Sequence, residues 1–223
     1  MRIRYKKWAR PELEASSFYI ANPEEYKGRW SEIFNNGNPI NIELGCGKGN
    51  FISELAHNNQ NINYIAIDLI DAMLGLTKRN IEKVYRDEDI KNLRITRFDI
   101  ERISLILDEK DKIEKIYINF CNPWPKPKHR KKRLTYTKQL QQYKTFLIDG
   151  GEVLFKTDDY NLYKDSLKYF EETGFIVENK TEDLHNEHIF ENNIITEHEK
   201  MFSDQGIKIK ALIAKKISKY VEN

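Results

Sequence analysis

Two cysteines among 223 residues, Cys46 and Cys121, are too few for a disulfide framework or a four-cysteine metal site. No apolar run reaches the ~20 residues that a membrane-spanning helix requires. The basic, aromatic N-terminus leads into no apolar stretch of the signal-peptide kind. Ten glycines and six prolines form no linker, and no repeat or low-complexity tract is present. His185, His188 and His198 have no ligand spacing, so no metal is expected. Secreted disulfide scaffolds, membrane proteins and disordered chains are thereby set aside. A cytoplasmic globular protein is expected, monomeric or homodimeric, with both thiols acting as small apolar residues at the ends of buried strands.

The chain does have apolar anchors and unevenly placed charge. Three Trp, twelve Tyr and eleven Phe accompany a hydrophobic fraction of 39%, which suits one domain with a sizeable core. The net charge is only +2, yet residues 1–10 carry Arg2, Arg4, Lys6, Lys7 and Arg10 with no acid. Residues 126–133 carry Lys126, Lys128, Arg130, Lys131, Lys132 and Arg133, again with no acid. Two concentrated basic segments in a chain acidic elsewhere point to a polyanion met at a defined face.

Hydrophobic periodicity predicts alternating strands and helices. Strands are expected over 39–44, 62–68, 93–98, 113–121, 152–156, 175–178 and 208–214. Helices are expected over 49–58, 71–86, 136–148 and 160–172, with Thr135 as N-cap of the third and Gly150-Gly151 stopping it. This is an α/β fold, a mostly parallel seven-stranded sheet with helices on both faces, whose last strand inserts antiparallel. One domain over 1–223 is expected, with a basic arm over about 1–12 and an irregular acidic insertion over about 180–205. In such sheets ligands bind beyond the carboxyl ends of the strands, so the loops after the first four strands are expected to share a crevice.

The first strand runs into Glu43-Leu44-Gly45-Cys46-Gly47-Lys48-Gly49. Gly45 and Gly47 permit a tight turn and a ligand laid against bare backbone. Asp68 ends the second strand, where a carboxylate can take both hydroxyls of a ribose, and Asp99 closes the third, within reach of an adenine edge. A nicotinamide or flavin oxidoreductase also uses a glycine turn and a later acid. Two details oppose it. The spacing is G-x-G-x-G, with Asn50 where that fingerprint has its third glycine, and Glu43 would repel a pyrophosphate while suiting the ammonium of a methionine moiety.

The fourth strand leads into Asn119-Phe120-Cys121-Asn122-Pro123-Trp124-Pro125-Lys126-Pro127-Lys128 and the cations beyond. Prolines stiffen this loop. Trp124 offers a flat surface for a base, and the cations can take phosphates. His129 reads as a phosphate contact or a bystander. In Thr157-Asp158-Asp159, Asp159 reads as a helix cap and Asp158 as the functional acid.

On these motifs the sequence resembles the bacterial single-chain tRNA (guanine-N7)-methyltransferases over nearly its whole length. The resemblance begins with Arg2-Ile3-Arg4 and Trp8-Ala9. It continues through Glu43-Leu44-Gly45, the Pro-Trp-Pro-Lys loop with its basic tail, and Phe155-Lys156-Thr157-Asp158. It ends on Thr196-Glu197-His198-Glu199, like the family's T-x-x-E signature. It implies a Rossmann-like class I methyltransferase using S-adenosyl-L-methionine, giving S-adenosyl-L-homocysteine, and acting on N7 of the variable-loop guanine of tRNA. It further implies that Glu43, Gly45, Gly47, Asp68, Asp99 and Asn122 contact the methyl donor. Lys126, Asp158, Thr196, Glu197, His198 and Glu199 would handle the guanine, with Asn122 and Asp158 catalytic. Lys128, Arg130, Lys131, Lys132 and Arg133 are expected on the RNA backbone.

One position departs from the family, which places Asp where this chain has Asn122. Guanine N7 already holds an in-plane lone pair, so its attack on a sulfonium methyl needs no deprotonation. The requirements are in-line positioning and tolerance of positive charge growing on the purine. Asn122 still offers a carbonyl acceptor, and Asp158 and Glu199 are expected to supply negative potential. The Asn leaves two other readings: a methyltransferase on another nucleic-acid amine, akin to enzymes with an Asn-Pro-Pro-Tyr loop, or a catalytically silent tRNA-binding homologue. Trp124-Pro125 has the wrong order for that loop.

Overall fold

The computed structural model describes residues 5–187, 189–190 and 193–217. Arg2, Ile3, Arg4 and His188, which entered the sequence reading, lie outside them. Contacts divide the chain into two compact units, Met1–Asp111 and Lys112–Asn223.

The first unit runs α1 (Ala9–Glu14), β1 (Tyr19–Ile20), a 3-10 turn (Pro23–Tyr26), α2 (Trp30–Phe34), β2 (Ile40–Leu44), α3 (Asn50–Asn58), β3 (Asn63–Asp68), α4 (Asp71–Tyr85), β4 (Leu93–Arg97) and a second 3-10 turn (Ile100–Leu105). Its strands lie in the order β1, β4, β3, β2, and every neighbouring pair is parallel. β2 is buried at all five positions, as a strand covered on both faces must be. α3 turns Phe51, Ile52 and Ala56 inward, and α4 does the same with Leu74, Ile81 and Tyr85.

Beyond Tyr5, the basic segment leads into α1, which packs on α4. A side chain at Gly75 would strike Trp8 and Ala9. The Arg79 guanidinium lies 3.7 Å from the centre of the Trp8 ring and donates twice to Glu12, at 2.9 and 2.6 Å. Trp30 is fully buried, its indole N–H donating to the Ile106 carbonyl at 2.7 Å. The Asp111 carboxylate accepts from the backbone N–H groups of Gly28, Trp30 and Asp108.

The second unit runs β5 (Ile113–Asn119), a 3-10 turn (Pro127–Lys132), α5 (Thr137–Phe146), β6 (Leu147–Thr157), α6 (Tyr160–Glu172), β7 (Phe175–Thr181), α7 (Leu184–Glu187), α8 (Glu197–Ser203) and β8 (Lys210–Lys216). Its strand order is β5, β6, β8, β7. β5 and β6 are parallel, and the last strand enters antiparallel to both β6 and β7. The α/β class and the antiparallel late strand are therefore as the sequence indicates.

The differences are local. Eight strands rather than seven occur among the described residues, because two-residue β1 pairs with β4. Gly150-Gly151 does not stop a helix; it lies inside β6, where the register against β5 slips between Ile113 and Lys115. Glycine with φ +78° at Gly150 accommodates that bulge. Thr135 is not the cap of α5, which starts after Tyr136; its buried hydroxyl is 2.6 Å from Ser166 Oγ. The segment expected to be irregular carries the end of β7 and two short helices.

Candidate active site

In the first unit, the turn after β2 is tied to β3. The N–H groups of Gly45 and Cys46 both donate to the Ile67 carbonyl, at 2.8 and 3.1 Å. Gly47 N–H donates to Asp68 Oδ2 at 3.0 Å, and Ile70 N–H to Asp68 Oδ1 at 2.9 Å. One carboxylate thus fixes both the glycine turn and the entry to α4. Gly47 has φ +57° and meets nothing where a Cβ would stand, so its backbone is bare to a ligand. Gly49, at φ +76°, caps α3, and any side chain there would collide with Thr77.

Glu43 is 2% exposed within β2, opposite Ala66 of β3. Burial pushes the Asp68 carboxyl above its ordinary 3.8, against the opposing pull of its backbone donors. Burial, with Asp68 and Glu43 near, pushes the Cys46 thiol well up, so it stays protonated and inert. Asp99 follows β4 and accepts from Glu101 N–H at 3.0 Å, capping the 3-10 turn. A cavity of about 390 Å³ opens beside it, lined in part by Leu69, Arg97, Phe98 and Arg102. Asp99 lines that cavity, whereas Glu43, Gly45, Gly47 and Asp68 do not. The bare turn and the carboxylate at the next strand end are the groups here whose chemistry fits a nucleoside with a charged amino-acid tail.

In the second unit, β5 ends in a sharply turned loop. Phe120 has φ +51° and Trp124 φ +42°, both in the left-handed region. Trp124 N–H donates to Asn122 Oδ1 at 3.1 Å, closing an Asx turn. That turn needs an oxygen acceptor, which Asn and Asp supply alike, so the backbone is indifferent to the departure at position 122. Asn122 is exposed, and so are Lys126, Lys128, Arg130, Lys131 and Lys132. Lys132 Nζ lies 5.2 Å from the centre of the Trp124 ring, and His129 lies 5.6 Å from it on a tilted plane.

Arg133 does not join the exposed cations. It is 1% exposed; its Nε donates to the Pro123 carbonyl at 2.7 Å and its Nη1 to Asp165 at 2.6 Å. The sequence grouped it with phosphate contacts because charge runs carry no sign of burial. Its place here is structural.

Asp158 and Asp159 divide their tasks at the end of β6. Asp159 accepts from Leu162 N–H at 2.7 Å and caps α6. Asp158 is half-buried, and burial pushes its carboxyl up while Lys210 and His198 pull the other way. His198 stacks over Phe120 with centroids 6.1 Å apart, and Phe202 lies on the same ring.

The T-x-x-E stretch proves largely architectural. Thr196 caps α8 by accepting from Glu199 N–H at 3.0 Å. Glu199 is wholly buried and accepts from Lys156 Nζ at 2.8 Å, Asn193 Nδ2 at 2.7 Å and His185 Nε2 at 2.9 Å. Burial alone would raise its carboxyl; the Lys156 charge and the donors outweigh that and hold it below 4.5. A charge so compensated offers little free negative potential. Glu197 and His198 are the exposed members of the four. The sequence assigns no role of their own to Lys156, Asn193 or His185, although a lysine inside a buried strand signals a buried acid. Among the described residues no group of three or more His, Cys, Asp or Glu is placed to hold a metal, and no helix is long and apolar enough to cross a membrane.

These features, a glycine turn after a buried parallel strand, acids on successive strand ends and an antiparallel last strand, define a methyltransferase of the class I, Rossmann-like fold. The family model described as "Putative methyltransferase" matches residues 37–212. Solved structures agree on the fold. The chain covers 90% of itself and 94% of a 16S rRNA (adenine(1408)-N(1))-methyltransferase from Catenulisporales acidiphilia, solved with the cosubstrate SAM, at TM-score 0.61 and 12% identity. Against an antibiotic-related methyltransferase the figures are 85%, 93%, 0.61 and 18%. Sequence relatives are far nearer. The chain is 60% identical to the tRNA (guanine-N(7)-)-methyltransferase of Ruminiclostridium cellulolyticum over 96% of its length and 92% of the relative's. It is 58% identical to that of Clostridium beijerinckii over 97% and 99%. The chain belongs to the tRNA (guanine-N(7)-)-methyltransferase family.

Proposed function

We propose that this protein transfers a methyl group from S-adenosyl-L-methionine to N7 of a guanine in tRNA, at the variable loop. The observation that carries the reading is kinship of 60% identity along 96% of the chain with a tRNA (guanine-N(7)-)-methyltransferase. S-adenosylmethionine supplies, when bound, an electrophilic methyl on a sulfonium. Glu43 would meet the ammonium of its amino-acid tail, Asp68 the ribose diol, the bare backbone at Gly45 and Gly47 the atoms between them, and Asp99 the adenine edge.

On the acceptor side the guanine needs no base, because N7 presents its lone pair directly. Asn122 contributes an oxygen and Asp158 a carboxylate for the N–H edge of the base and for the positive charge that grows on it. His198 and Phe120 offer a flat face for stacking. Lys126, Lys128, Arg130, Lys131 and Lys132 take phosphates and hold the register.

The test is incubation with radiolabelled donor and unmodified tRNA, then nucleoside identification. Label in 7-methylguanosine is expected. Label on an exocyclic amine would move the reading to another nucleic-acid amine, and no label at high enzyme and donor would reduce the chain to a silent tRNA-binding homologue.

A further inference from the structure

Six cations stand at 126–133, and five are exposed; the sixth, Arg133, is buried at 1%. Burying a guanidinium is costly unless each face of it is met, so its two contacts identify what it is buried for. Nε donates at 2.7 Å to the Pro123 carbonyl, one residue after Asn122. Nη1 donates at 2.6 Å to Asp165 on α6, 32 residues away. Asp165 also faces Arg130 at 3.5 Å, and Arg133 N–H donates to the Arg130 carbonyl at 3.1 Å. One planar, forked cation therefore joins the loop bearing Asn122, the basic 3-10 turn and a rigid thirteen-residue helix.

We propose that Arg133 is a positioning residue: it clamps the Asn122-Pro123-Trp124 loop to α6 through the Pro123 carbonyl and Asp165, and so sets where Asn122 stands for methyl transfer. The inference rests on the methyltransferase reading given above. The loop needs such a clamp because two of its residues sit at positive φ without being glycine, a conformation that persists only when surrounding contacts impose it. No side chain other than Arg can serve. Lysine is a single point donor on a flexible stem, and it cannot hold a carbonyl and a carboxylate in one plane. Displacement of a reacting group by about 1 Å can cost on the order of 100-fold in rate, whereas tRNA affinity resides in the exposed cations.

Arg133→Lys and Asp165→Asn test the clamp, the second retaining an oxygen acceptor so that the fold is kept. Amide hydrogen exchange of the peptide spanning 119–126 is compared with steady-state kinetics and with the salt dependence of tRNA binding. In both variants loop exchange is expected to quicken about tenfold, and kcat to fall about 10- to 100-fold. KM for tRNA and the slope of log Kd against log salt should stay as in the parent. Loop exchange unchanged in both variants would overturn the clamp. A lower salt slope with kcat intact would do the same, by returning Arg133 to the phosphate contacts. A parent protein that turns over no tRNA would defeat the functional reading, while the exchange measurement would still judge the clamp.

Discussion

Asp68 in the first unit and Glu199 in the second are both carboxylates in motifs that the sequence singles out, yet their settings are opposite. Asp68, in the first unit, is held by the N–H groups of Gly47 and Ile70, and burial pushes its carboxyl up. Glu199, in the second, is more deeply buried but held by Lys156, Asn193 and His185, and its carboxyl is pulled down. The first arrangement meets the carboxylate with neutral backbone donors and no cation. The second spends the charge on joining β6 to α8. A buried acid met by a buried cation and two further side-chain donors is thus architectural, whereas one held only by backbone N–H groups keeps no counter-charge of its own.

The sharpest break in this comparison is Glu199→Gln. It leaves Lys156 buried beside a neutral amide, and removing one partner of a buried pair costs about 3–5 kcal/mol. Urea unfolding at neutral pH is expected to show that loss; a change under about 1 kcal/mol would mean that Glu199 does not hold the segment. The pH dependence follows from sign. A carboxyl lowered on folding adds stability that is present above its unfolded value near 4.5 and is lost as pH falls through the lowered folded value. Glu199→Gln should flatten that part of the acid limb. Asp68, being raised, acts oppositely: its contribution is present below 3.8 and is lost as pH rises through the folded value.

The contrast also explains what the sequence disclosed. The turn at Gly45–Gly49, Asp68 at the end of β3, the helix over 160–172 and its Asp159 cap depend on neighbours within a few residues, and local pattern reveals such features. The Lys156–Glu199 pair spans 43 residues and Arg133–Asp165 spans 32. Side chains so far apart meet only once the chain has folded, so Arg133 reads as one more surface cation and Thr196-Glu197-His198-Glu199 as a substrate motif. Gly150-Gly151 fails for a related reason: a glycine pair marks an interruption, and only the register between β5 and β6 shows that a strand rather than a helix is interrupted.

Asp68→Ala sharpens the same contrast from the binding side. Two charge-assisted hydrogen bonds to a ribose diol, at about 1.5 kcal/mol each, correspond to roughly 100-fold in donor affinity. Calorimetry with S-adenosylhomocysteine should show that weakening while tRNA affinity is unchanged. Equal losses for both ligands would show that Asp68 supports the fold generally. Asn122→Asp comes next. The Asx turn accepts either residue, and a full negative charge near the purine should hold kcat level or raise it up to about tenfold, roughly 1.4 kcal/mol of barrier. A marked fall in kcat would show that the amide N–H₂ of Asn122 is itself used.

The smallest effect is the most discriminating about RNA. Lys131 is exposed in the same basic turn as buried Arg133. Each lost phosphate contact lowers the slope of log K against log salt by about one unit and weakens binding uniformly across sequences. Lys131→Ala should therefore reduce tRNA affinity several-fold at low salt, and by less as salt rises, with donor affinity and kcat at saturating tRNA intact. Set beside Arg133→Lys, the expected pattern is crossed: one variant moves the salt slope and leaves kcat, the other moves kcat and leaves the slope. If Lys131→Ala left the slope where it was, the exposed cations would face solvent without touching phosphate, and the tRNA grip would have to be sought elsewhere, first at Lys6, Lys7 and Arg10 on the arm that α1 anchors to α4.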